Sequence, residues 1–258
     1  MDRTFWHRQT AERPLFPDLL WSRPETKRTA GKLLVVGGNV HGFSAAAVAY
    51  TEASKAGIGT TRVLLPDSLQ KTVGKVFPAG EYAPSTPSGS FSQQALAELL
   101  ELSHWADGVL LAGDFGRNSE TAILLEKYLE KYSGQLTLAH DALDYFLSNS
   151  KALLERPDLT LVPTFAQLQK LATSLHFTTA FTSTMDFLHL VDALHELTEQ
   201  FSFAVISNHE NTSFVAVAGQ VSTTKPATID EIATAAHAAV WRLQNPSKPF
   251  EALTSSLL

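Results

Sequence analysis

Five short polar clusters stand in equivalent places along the chain, each directly after an apolar run: Gly37-Gly38-Asn39, Gly113-Asp114, His140-Asp141, Pro163-Thr164 and Ser207-Asn208-His209. Their residue types define the chemistry on offer. Asp114 and Asp141 bring carboxylates that can take a proton or hold a cation-bound phosphate, and the imidazole of His140 is a group that can pass a proton. The glycines remove Cβ and permit positive φ, which lets the backbone turn sharply with its N–H groups toward a ligand. Each carboxylate also has a plain structural reading. Asp114 can cap a helix starting near Ser119, and Asp141 can cap the short helix that follows it.

Other chemistries are absent from the pattern. The nine histidines show no His-x3-His or His-Glu-x-x-His spacing, so side chains alone do not suggest a metal centre. There is no Gly-x4-Gly-Lys-Ser/Thr phosphate loop and no Gly-x-Ser-x-Gly nucleophile elbow. Cysteine is missing, which excludes disulfides, thiolate metal ligands and a thiol nucleophile.

The polar clusters need a scaffold that brings strand ends together, and the chain's periodicity supplies one. Leu33–Val36 reads as a strand, Ser44–Lys55 as a helix of small residues stopped by Gly57 and Gly59, and Thr60–Leu65 as the next strand, closed by Pro66. That is a βαβ unit, which implies parallel strands and a right-handed crossover. A short helix over Asp67–Lys75 and a turn-rich loop over Pro84–Ser90 follow, the loop reading as solvated surface or as a lid. The alternation then resumes with helix Ser92–His104, strand Gly108–Ala112, helix Ser119–Tyr132, strand Gln135–Ala139, a short helix after Asp141, strand Thr160–Val162 and helix Phe165–Leu175. Helix Met185–Glu199 is amphipathic, and strand Phe203–Ser207 comes next. Thr212–Ala218 and Gln220–Thr223 pivot on Gly219 as an antiparallel hairpin, and a last helix runs from about Ile229 to Gln244.

The expected fold is therefore a three-layer αβα sandwich with a mostly parallel sheet and an antiparallel edge hairpin. Residues 31–258 form one domain, preceded by an irregular arm over 1–30 whose Trp6, Phe16 and Trp21 dock onto the body. In such a sheet ligands bind at the carboxyl ends of the strands, where the polar clusters lie. With 258 residues, 44% hydrophobic and 18% charged, the chain can bury one sizeable core. A net charge of -6 with no basic run argues against nucleic acid. No apolar run reaches the roughly 20 residues of a membrane helix, and the N-terminus has no apolar leader region, so a cytoplasmic location is expected.

In order and spacing, four motifs resemble the ADP/ATP-dependent NAD(P)H-hydrate dehydratases, a branch of the ribokinase-like superfamily. They are Gly37-Gly38-Asn39 with Ser44-Ala45 and Ala56-Gly57-Ile58-Gly59; Ala106-Asp107 through Gly113-Asp114-Phe115-Gly116-Arg117; Leu138-Ala139-His140-Asp141-Ala142-Leu143; and Val162-Pro163-Thr164-Phe165-Ala166-Gln167. The resemblance spans residues 31 to about 242. It implies a ribokinase-like fold and a repair reaction in which ADP or ATP, with Mg, phosphorylates the hydroxyl of hydrated NADH or NADPH so that it can leave. It further implies that Ala45, Asp114 and Thr164 face the dinucleotide and that Ser207 and Asn208 face the nucleotide; Gly37, Gly38, Asn39, Gly113 and His140 join the first set by their strand-end position, and Lys225 joins the second by its charge.

The sequence departs from that pattern at chemically important places. Thr164 stands where the family has histidine, Gln167 where it has glutamate, and Ala139 where it has the first aspartate of the third motif. The family's Lys-Gly falls near Ser207-Asn208, and its Gly-Thr-Gly-Asp, which provides an anion hole and a base, is missing before the last helix. There the chain reads Thr228-Ile229-Asp230-Glu231, a capping-box pattern in which Thr228 and Glu231 occupy the N–H groups that phosphate needs. Lys225 partly offsets the added negative charge. The resemblance thus leads to a nucleotide- or dinucleotide-binding relative with lost or altered phosphoryl transfer. Two alternatives stand beside it: an active dehydratase or small-molecule kinase with Asp114, Asp141 or Asp230 as a relocated base, and a non-catalytic homo-oligomer scaffold.

Overall fold

The computed structural model describes residues 3–75, 77–147, 156–225 and 229–258. A ten-stranded sheet runs through it in the order β1-β10-β9-β8-β7-β6-β5-β2-β3-β4. The central strands are β2 (Lys32–Gly37), β3 (Thr60–Pro66), β5 (Gly108–Gly113), β6 (Gln135–Ala139) and β7 (Leu159–Val162), all parallel, with β4 (Gly80–Ala83) parallel at one edge. Then β8 (Ala204–His209), β9 (Thr212–Val217) and β10 (Gln220–Thr224) alternate in direction, so the antiparallel hairpin is present. Ala218 (φ 46) and Gly219 (φ 78) both have positive φ at its tip, the conformation that matches hairpin geometry to strand twist.

Both faces of the sheet are covered, which explains why its strands read as unbroken apolar runs. Along β5, Val109 and Leu111 point into one core while Leu110 and Ala112 point into the other. The first core is closed by α4 (Leu96–Trp105), α5 (Ser119–Lys131), α7 (Phe165–Ser174) and α8 (Phe187–Gln200) through Leu99, Leu124, Tyr128, Leu171 and Leu194. The second is closed by α2 (Ser44–Lys55), α9 (Glu231–Gln244) and α10 (Pro249–Ser255), with Ala45, Ala46, Ala49 and Ala53 from α2 and Ala235, Ala236, Ala238 and Ala239 from α9 buried. Small side chains let α2 and α9 pack directly against each other. Both begin at the carboxyl edge of the sheet, so their N-termini are brought to one rim.

Several boundaries differ from the sequence expectation. The segment after Pro66 is a 3-10 turn at Asp67–Leu69 leading into α3 (Gln70–Val73), and Gln93–Ala95 is likewise 3-10 before α4. The last long helix begins at Glu231 rather than Ile229. The arm is not wholly irregular: β1 (Trp6–Gln9) adds a parallel strand outside β10, and Pro17–Trp21 forms α1. Trp6 packs against Phe187 and Phe16 against Phe250, whereas Trp21 is 88% exposed and has no ring contact among the described residues. Arg3 grips Asp192 with two hydrogen bonds of 2.7 and 2.8 Å, and Phe5 stacks on His195. No described helix is long and apolar enough to cross a membrane.

Candidate functional site

The ends of β2 and β5 meet so closely that glycine is required. A Cβ on Gly37 would lie 2.3 Å from the Gly113 carbonyl oxygen, which itself accepts from Gly38 N at 2.9 Å. The next residue turns the chain: Asn39 Oδ1 accepts from His41 N, its Nδ2 donates to Asp114 O at 2.6 Å, and Asn39 N donates to Gly42 O. The N–H groups of Gly38 and Asn39 are therefore engaged within the fold. The Pro84–Ser90 loop is pinned over this turn, with Val40 N and Ser68 Oγ both donating to Gly89 O and Asn118 Nδ2 donating to Ser88 Oγ, each at 2.9 Å.

Asp114 sits at φ 60, a left-handed conformation uncommon outside glycine, asparagine and aspartate. There its Oδ2 accepts from Ala45 N at 2.7 Å and Ser44 Oγ at 3.2 Å. Helix α2 has no capping side chain of its own, since Phe43 occupies that position. Asp114 is thus a cap, but for a helix 69 residues earlier in sequence and not for α5. The α5 cap is Asn118, whose side chain accepts from Glu120 N and Thr121 N. Asp141 does not cap the helix it begins, α6 (Asp141–Asp144). Its two carboxylate oxygens accept instead from Phe115 N (3.3 Å) and Gly116 N (3.1 Å) across the rim.

His140 ties the rim to α9. At φ 52 its N–H donates to Glu231 Oε1 at 2.8 Å, and its carbonyl accepts from Gln167 Nε2 at 2.8 Å. Its ring is half-exposed, with Nδ1 3.6 Å from Asp141 Oδ1. Burial raises the Glu231 carboxyl above its ordinary range, opposed by the hydrogen bond from His140 N. Thr164 caps α7 in a full capping box with Gln167, and Gln167 also reaches Asp144 at 3.2 Å. At the start of α9 the cap is Asp230, whose Oδ1 accepts from Ala233 N at 2.8 Å. Thr228, and with it the expected Thr228–Glu231 box, lies outside the described residues; among those described, Glu231 Oε1 accepts from His140 N.

One rim therefore gathers Gly37, Gly38, Asn39, Ala45, Gly113, Asp114, His140, Asp141 and, through Glu231, the start of α9, with Thr164 joined through Gln167. Ser207 and Asn208 lie further along: Ser207 Oγ donates to Pro163 O, and Asn208 accepts from Ser213. Lys225 is exposed and has no hydrogen bond or ion pair among the described residues. Beside the rim opens a cavity of about 850 Å³, lined by Gly116, Arg117, Asn118, Ser119, Asp141, Asp144, Tyr145, Leu147 and Lys170. Most of these were not singled out from the sequence. The signal was the run from Asp141 to Tyr145, where spacing of three and four places Asp144 and Tyr145 on the Asp141 side of a helical turn. No group of three or more His, Asp or Glu among the described residues is placed to hold a metal ion.

No protein-family model matches this chain, and no curated protein matches it in sequence. Solved structures match it in fold. A ribokinase-like superfamily protein from Enterococcus faecalis superposes with a TM-score of 0.72 at 15% identity, over 99% of this chain and 87% of its own. A hypothetical protein from Streptococcus mutans gives 0.69 at 16%, over 91% and 82%. The ADP/ATP-dependent NAD(P)H-hydrate dehydratase from Bacillus subtilis, co-crystallised with ATP and Mg2+, gives 0.66 at 13%, over 94% and 85%. The fold is ribokinase-like, and the resemblance drawn from the four motifs holds at that level.

Proposed function

We propose that this chain is a nucleotide- or dinucleotide-binding relative of the NAD(P)H-hydrate dehydratases that has given up ordinary phosphoryl transfer. One observation carries the reading: the rim's main-chain donors are held by the chain's own carboxylates. Asp114 takes Ala45 N, Asp141 takes Phe115 N and Gly116 N, and Glu231 takes His140 N. Phosphoryl transfer needs free donors aimed at developing negative charge. Asp230, which stands near where the family's base is missing, directs a carboxylate oxygen at Ala233 N, and with Glu231 it puts two acids at the helix start, which repels phosphate. These residues do not fit ATP with Mg2+ as a phosphoryl donor, and no step is derived through it. What supports ligand binding is the polar carboxyl edge of a ribokinase-like sheet with a large cavity beside it.

Calorimetry with NADH, NADPH, ADP and ATP tests the binding, and incubation with hydrated NADH plus ADP or ATP and Mg2+ tests the chemistry. Binding without regeneration of NADH is expected. Regeneration that Asp114→Ala, Asp141→Ala or Asp230→Ala abolishes would replace this reading with an active dehydratase. Absence of any binding at millimolar ligand would leave the homo-oligomer scaffold.

A further inference from the structure

Among the described residues, Trp21 stands apart from the other exposed large hydrophobic side chains: 88% of it faces solvent, against 38–47% for the remaining six. Helix α1 holds it out on a fixed base, because Leu19 is buried with Trp241 and Ala252, and Arg23 lies 4.9 Å over the Trp241 ring. The indole heads a run of exposed residues reaching Thr29, broken only by half-buried Pro24, in which Arg23, Lys27 and Arg28 face a single acid, Glu25. The side chains of Lys27 and Arg28 have neither a hydrogen bond nor an ion pair among the described residues. A rigidly mounted tryptophan beside unpaired cations has the make-up of an interface anchor, since Trp and Arg lead the residues on which binding energy concentrates.

A hollow of complementary charge lies elsewhere on the molecule. It has a volume of about 400 Å³, room for one indole, with Met185, Ala193 and Thr184 in its lining, Asp186, Asp192 and Glu196 around them, and no Lys or Arg. Asp192 already holds the arm's Arg3 at 2.7 Å, so this wall accepts a guanidinium. Asp186 meets only His189, and Glu196 accepts from Thr179 Oγ1. Helix α8, which carries most of the hollow, closes the first core, whereas α1 rests on Trp241 of α9 and Ala252 of α10, which close the second. Trp21 and the hollow therefore lie on opposite faces of the sheet and cannot meet within one chain. The charge of the whole chain is divided in the same sense. Residues 1–32 hold seven of the 20 Lys/Arg but only four of the 26 Asp/Glu, leaving an acidic body behind a basic arm.

We infer that Trp21 of one copy seats in this hollow of the next, with Lys27 and Arg28 beside Asp186 and Glu196. The contact is heterologous, so copies add in a ring or an open row. It uses none of the rim residues and stands independently of nucleotide binding.

Sedimentation velocity of the intact chain from low to high micromolar concentration tests it. The natural chain is expected to self-associate, and Trp21→Ala to weaken that association about thirtyfold, as for a central anchor. The Thr184→Lys/Glu196→Lys variant, changed at two exposed positions, is expected to lose it as well, with unchanged thermal melts verifying that both variants fold. Mixing the two variants is the sharpest measurement. One retains the hollow and the other retains Trp21, so together they should form a one-to-one complex that grows no further. A natural chain that stays monomeric, association that survives Trp21→Ala, or variants that fail to complement each overturn the inference. So does a monomer that pellets with phosphatidylglycerol vesicles and ceases to do so in Trp21→Ala, which would assign the indole and its cations to a lipid surface.

Discussion

Helices α2 and α9 lie side by side and begin at the same edge of the sheet, yet they solve the problem of their unpaired N-terminal donors in opposite ways. Helix α2 starts at Phe43-Ser44 with no cap of its own and borrows Asp114 from the end of β5. Helix α9 caps itself with Asp230 and lends its next residue, Glu231, to the backbone of His140. One helix imports a carboxylate and the other exports one. In each case one helix-start N–H, Ala45 N in α2 and Ala233 N in α9, is held by a carboxylate of the chain itself. The lesson is that an aspartate at a strand end must be assigned by its partner, not by its neighbours in sequence.

Breaking the imported cap should have the largest effect. Asp114→Ala leaves the start of α2 uncapped and is expected to lower stability by about 2 kcal/mol, read by denaturant unfolding. Asp114→Gly also removes the cap but suits φ 60, so it should recover about 1 kcal/mol of that loss; equal losses for the two would show that backbone conformation contributes nothing here. The local cap should matter less. Asp230→Ala is expected to cost about 1 kcal/mol, because only Ala233 N loses its partner, and a loss as large as that of Asp114→Ala would erase the asymmetry.

Glu231 sharpens the comparison through pH. Its carboxyl is raised by burial, so its favourable contribution is complete below the ordinary carboxylate range and is lost as pH rises through the raised value. Unfolding free energies measured across that window should fall with pH for the natural chain relative to Glu231→Gln, which keeps an acceptor for His140 N without the charge. A flat difference would mean that burial does not raise the Glu231 carboxyl. The smallest effect is expected where the two helices touch midway, at His237 and Glu52, whose Nε2 and Oε2 are 3.3 Å apart. Burial pushes the His237 imidazole below its ordinary range, against the pull of Glu52. Stability held there is present above the usual imidazole range and declines as pH falls through the folded value, so His237→Gln should flatten the acid side of the profile.

Much of the architecture was legible because buried parallel strands and small-residue helices leave strong patterns. Leu33–Val36 and Val109–Ala112 read as strands covered on both faces, and the alanines of α2 and α9 marked the face on which those helices pack. The edge elements were harder. Strand β1 is polar because only part of it is covered, and its partner residues lie more than 200 positions away, so no local period announces it. The candidate site was half legible for the same reason. Strand-end position drew attention to Asp114 and Asp141, but local spacing offered each of them only a nearby helix to cap, while their partners are Ala45 and the Phe115-Gly116 backbone. Glu231 was read as part of a box with Thr228 because a helix-start acid has an obvious local use, and its cross-rim bond to His140 depends on how β6 and α9 meet.

The pairing of β1 with β10 sets an order on synthesis. Trp6 lies opposite Val221 and Gln9 opposite Thr224, so β1 leaves the ribosome well before β10 provides the edge that it joins. Arg3 likewise waits for Asp192, 189 positions on, and Phe5 and Trp6 wait for His195 and Phe187. Closing so long a loop is slow but adds little extra entropic cost per residue. A product truncated before β10 would leave β1, with its Trp6, without the edge that it pairs with.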